Sequence, residues 1–130
     1  MLFRSAGHEF LVVHFGDHQP LITWPAYRHQ DWLENMSALP IDERAYRTYF
    51  AIDGVNFQPH IGDDLPEVAD AAYLGTIVTM AAGLPLDPVH TVRRELMMRY
   101  RGSLFSPHDG GRIASELNRR LVDAGLVDVH

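Results

Sequence analysis

The chain contains no cysteine. That excludes a disulfide framework, a thiolate zinc site and a cysteine nucleophile. Lysine is missing as well, since all 11 basic residues are arginine. The P-loop lysine, the Schiff-base lysine and the lysine general base are therefore excluded. Positive charge is scarce overall: 17 acidic residues leave a formal net charge of −6. Nucleic-acid binding is not expected, because phosphate contacts need clustered Lys and Arg. Long apolar runs are absent too, and none approaches the ~20 residues of a membrane helix. The first residues, MLFRSAGHEFLVVHFGDH, do not read as a signal peptide. Their apolar run, Phe10 to Val13, is short and is followed by charge. No internal repeat, low-complexity tract or flexible linker is visible.

What is present fits one domain over residues 1–130. Apolar types make up 46% and charged types 22% of the chain. These values are close to the globular average and exclude a disordered tail, a collagen-like chain and a coiled-coil rod.

The chain divides into an N-terminal strand-and-loop half and a helical C-terminal half. Residues 9–15, EFLVVHF, form a nearly continuous apolar run closed by Gly16. This predicts a strand buried on both faces, as in a parallel α/β sheet. The polar cluster GDHQP follows, just past the carboxyl end of that strand, where ligands bind in open α/β sheets. Residues 26–39 predict a short helix before Pro40, with Trp32, Leu33 and Met36 on one face. Residues 45–52 predict a second strand, turned by Asp53-Gly54, and residues 57–65 an irregular loop.

A long buried helix is expected from Pro66, capped by Asp64 and stopped by Gly83. A second helix is expected over 88–101, with Asp87 as N-cap, Pro88 at the first turn and Gly102 as its stop. Val89, Val92, Leu96 and Tyr100 form its apolar stripe. A last helix is expected over 110–124, capped by Asp109, with Ile113, Leu117 and Leu121 inward and Gly125 ending it.

The sharpest chemical signal is Gly16-Asp17-His18. A carboxylate and an imidazole side by side offer one oxygen and one nitrogen ligand to a divalent metal. Two ligands do not complete a site, since a tetrahedral catalytic centre needs three protein ligands and an open position. A turn aspartate beside a surface histidine is the plainer reading of the same residues.

The stretch LVVHFGDHQP resembles the F-F-G-D-H-x-P motif of the sulfatase-like branch of the alkaline phosphatase superfamily. That branch holds sulfatases, lipoteichoic-acid-synthase-like enzymes and phosphoethanolamine transferases. RTYFAIDGVNF resembles the strand and turn after that motif in a proteobacterial group of these proteins. LPEVADAAYLGTIVTMAAGLPLDPV resembles a helix that sulfatases write roughly as D-x-x-P-T-L-L-x-x-A-G-L-P. Three segments in order, spanning nearly the whole chain, read as the C-terminal portion of such a protein.

The resemblance implies an α/β fold: part of an alkaline-phosphatase-like domain, with one buried parallel-type strand, a second strand and a helical C-terminal half. It implies that Asp17 and His18 ligate a divalent metal, calcium in sulfatases and manganese or zinc in the transferases. His29, eleven residues beyond His18, is the candidate for holding substrate oxygens; a helix-surface histidine is the other reading. The family's nucleophile and other acidic ligands lie far upstream, and no C-x-P-x-R or S-x-P-x-R motif occurs here. The chain is thus expected to carry half a metal site and to be inactive alone. It would rely on an upstream catalytic segment, as in a membrane-anchored parent with an extracytoplasmic catalytic domain, or on a second copy in a homo-oligomer. A stand-alone metal- or anion-binding domain, and a purely structural domain, stay open beside the enzyme reading.

The remaining candidates have plainer readings. His14 is a sheet residue, and His8, His60, His90, His108 and His130 show no ligand spacing. His60 shares a loop with Asp63 and Asp64. Arg93, Arg94, Arg99 and Arg101 read as the solvated face of their helix. Tyr46, Tyr49, Phe50 and Phe57 read as core or subunit contact, and Met80, Met97 and Met98 as core fillers. Ser5, Ser37, Ser103, Ser106 and Ser115 lack a nucleophile-elbow context.

Overall fold

The computed structural model describes residues 7–16, 48–105 and 111–127. Among them run strand β1 (Phe10–Phe15), strand β2 (Phe50–Val55), a 3-10 turn (Ala71–Tyr73) and helices α1 (Leu74–Ala81), α2 (Pro88–Arg99) and α3 (Arg112–Asp123). The class is mixed α/β. The helix expected over 26–39 lies outside the described residues, as does Asp109, the expected cap of the last helix.

β1 and β2 pair as a two-stranded sheet. The Gly16 amide donates to the Tyr49 carbonyl at 3.1 Å, and the Asn56 side-chain amide donates to the His8 carbonyl at 2.9 Å. Rising numbers on one strand meet falling numbers on the other, so the pair is antiparallel. No parallel neighbour of β1 occurs among the described residues. β1 is also not buried on both faces: Leu11, Val12 and Val13 are half-buried, and Phe10, His14 and Phe15 are exposed. A continuous apolar run fits a half-covered antiparallel strand as well as a buried parallel one, and periodicity cannot separate the two.

The second strand starts later than the sequence suggests. Asp53 and Gly54, which carry a turn signal, lie inside β2. Pairing with β1 holds them extended, and the chain bends afterwards at Asn56, whose φ is 57°.

Two compact units divide the chain. One comprises Val12–Ile52, and the other comprises Met1–Leu11 with Asp53–His130. The second holds the helices and the core: Tyr73, Thr76, Ile77 and Ala81, then Leu96, Met97 and Leu104, then Ile113, Leu117 and Leu121. The stripe expected on the last helix is the one buried. On α2 the burial centres on Leu96 and Met97, while Val89, Val92 and Tyr100 are half-buried.

The first helix is shorter than expected. Asp70, not Asp64, caps the 3-10 turn that leads into it, and α1 itself begins after Tyr73 with no side-chain cap. One Asp70 carboxylate oxygen accepts from the Ala72 amide at 2.9 Å. The other accepts from the Phe105 amide at 3.2 Å, and the Asp70 amide donates to the Gly102 carbonyl at 2.8 Å. These bonds hold the start of the 3-10 turn at residue 71, and residues 66–70 are non-helical.

All three helices end alike. After α1, the Gly83 amide bonds the Met80 carbonyl and the Leu84 amide bonds the Thr79 carbonyl. After α3, the Gly125 amide bonds Val122 and the Leu126 amide bonds Leu121. These are Schellman closures with a left-handed residue at the first position past the cap. After α2 that position is Arg101, at φ 50°, rather than the expected Gly102. Gly102 is left-handed too, at φ 84°, and a Cβ there would collide with the Val68 carbonyl.

Candidate functional site

Asp17, His18 and His29 lie outside the described residues. What the structure shows is the end of the strand that leads to the pair. β1 closes at Phe15, and Gly16 follows with its amide bonded to the Tyr49 carbonyl. A Cβ on Gly16 would collide with the Thr48 hydroxyl, so the two segments approach as closely as a glycine allows. The surroundings are aromatic and open: Phe15 is 62% and Tyr49 73% exposed, and Phe50 is exposed as well. Of the two expected roles, core or subunit contact, Tyr49 and Phe50 do not take the first. Phe50 opens β2, and Tyr49 immediately precedes it.

The other expected histidines are described. His14 lies on β1 and is exposed. The His60 ring contacts Phe57, with centroids 5.9 Å apart, and its amide donates to the Ala81 carbonyl at 2.8 Å. Asp63 and Asp64 follow in the same loop. No cluster of three metal-ligating side chains occurs among the described residues.

Asp64 instead pairs with Arg94 at 3.9 Å. It lines a cavity of about 350 Å³ with Pro66, Glu67, Val68, Met98 and Arg101. Two carboxylates and one guanidinium give that cavity a mixed charge, and it holds no nucleophile and no imidazole. Arg99 pairs with Glu116 at 3.1 Å. Of the arginines of α2, Arg94 and Arg99 are exposed and ion-paired, whereas Arg93 is half-buried and departs from the expected solvated face.

Two polar constellations escaped the sequence reading. Thr76 is the buried polar residue of the core, and its hydroxyl lies 2.9 Å from His90 Nδ1. The His90 amide donates to the Asp87 carboxylate at 2.7 Å, which caps α2 as expected. A hydroxyl beside an imidazole has the form of a nucleophile and its base. Thr76 is wholly buried, however, so no substrate reaches it and the pair ties α1 to α2. The spacing of Thr76 and His90 gives no local hint of this contact.

The second constellation joins α2 to α3. The Tyr100 hydroxyl donates to Glu116 Oε2 at 2.6 Å, and Arg99 donates to Oε1. Arg112 stands 5.2 Å above the Tyr100 ring. The Tyr100 hydrogen bond, with the charges of Arg99, Arg120 and Arg119, holds the Glu116 carboxyl below its usual range despite some desolvation. Arg120 pairs with Glu95 across the same two helices. In the core, burial first and the Asp70 charge second push the Tyr73 phenol up to about 12. It stays protonated and its hydroxyl donates to the Ser103 carbonyl at 3.3 Å.

No helix among the described residues is long and apolar enough to cross a membrane. No protein-family model, curated protein or solved structure matches the chain.

Proposed function

We propose that this chain is the metal-binding C-terminal portion of a sulfatase-like hydrolase or phosphotransferase acting on sulfate or phosphate esters. Asp17 and His18 are its metal ligands and His29 holds substrate oxygens. The reading rests on the ordered resemblance of three segments to the sulfatase-like branch of the alkaline phosphatase superfamily. The observation that carries it is the end of β1. There Gly16 is bonded to Tyr49 and pressed against Thr48, and the next residues in sequence are the carboxylate and imidazole.

One hard oxygen donor and one imidazole suit Mn²⁺, Zn²⁺ or Ca²⁺. Such an ion supplies Lewis-acid polarisation of an ester oxygen. The chain itself contributes half of the ligand set. The nucleophile and the remaining ligands come from an upstream catalytic segment or from a second copy of the chain. The isolated chain turns over no ester.

The second reading is a stand-alone metal- or anion-binding domain. The helical unit favours it: that unit has its own core and three closed helix ends.

Calorimetric titration of the full chain with Mn²⁺, Zn²⁺ and Ca²⁺ tests the claim common to both. Binding of at least one ion is expected, and its loss in Asp17→Ala and in His18→Ala. Circular dichroism of each variant checks that it is folded. Equal affinity in folded variants, or no binding by the parent chain, overturns the assignment.

A further inference from the structure

We draw no further inference here: the strongest candidate, the exposed aromatic patch of Phe15, Tyr49 and Phe50 at the end of the β1–β2 pair, flanks the site already described, and nothing in the structure shows what covers it.

Discussion

Arg101 carries the clearest local strain. It takes the left-handed conformation that closes α2, where glycine closes α1 and α3. A side chain in that region costs roughly 1–2 kcal/mol. Arg101→Gly is therefore expected to stabilise the fold by about 0.5–1 kcal/mol, after the greater entropy of an unfolded glycine is deducted. A urea melt reads this as a higher midpoint, and a lower midpoint would show that the guanidinium matters more than the backbone. Asp70 is the opposite case. Its carboxylate accepts from the nearby Ala72 amide and from the Phe105 amide 35 residues further along. Asp70→Ala removes the cap of the 3-10 turn and frees the solvent-exposed Phe105 amide, a loss of about 1 kcal/mol. The same melt checks it, and a loss within error of zero would contradict the clasp. Asp64 is the cap that the local sequence suggests, because it precedes Pro66 and the apolar run. The decision is made by Phe105 and Gly102, which no local pattern connects to Asp70.

Helix ends and apolar stripes were legible because they depend on nearby residues. Gly83 and Gly125 stop their helices, and Ile113, Leu117 and Leu121 face inward at helical spacing. The strands were less legible. Asp-Gly is a strong turn signal, yet pairing with β1 draws Asp53 and Gly54 into β2. The apolar run of β1 did not reveal that its described partner is antiparallel and that it is half-covered.

Between α2 and α3, packing and charge act together. Leu96 and Met97 are buried in one core with Leu117, and Glu116 accepts from Tyr100 and Arg99 beside it. The fold lowers the Glu116 pKa, so its stabilisation is present above the unfolded value and is lost as pH falls through the folded one. Glu116→Gln should thus lower the urea midpoint near neutral pH and make the decline on acidification through the carboxylate range shallower. Parallel pH curves for parent and variant would show that the carboxylate is not coupled to folding.

At the scale of the whole molecule, two kinds of surface stand apart. The helical unit closes its own core and its own helix ends. The unit of residues 12–52 contributes the end of β1, where the aromatic side chains stay open to solvent. Of the proposed site, the strand and its glycine were legible in the sequence, because a closed apolar run marks both. Asp17, His18 and His29 rest on the resemblance and on their donor chemistry. The loop of His60, Asp63 and Asp64 forms no cluster of three metal-ligating side chains, and Asp64 pairs with Arg94.

The most direct measurement is paramagnetic broadening of backbone amide signals by Mn²⁺ added to the full chain. The account predicts that the amides of Gly16, Thr48 and Tyr49 broaden first, and that Asp17→Ala and His18→Ala abolish the effect. Broadening centred on Asp63, Asp64 and Glu67, or none at the end of β1, would contradict it.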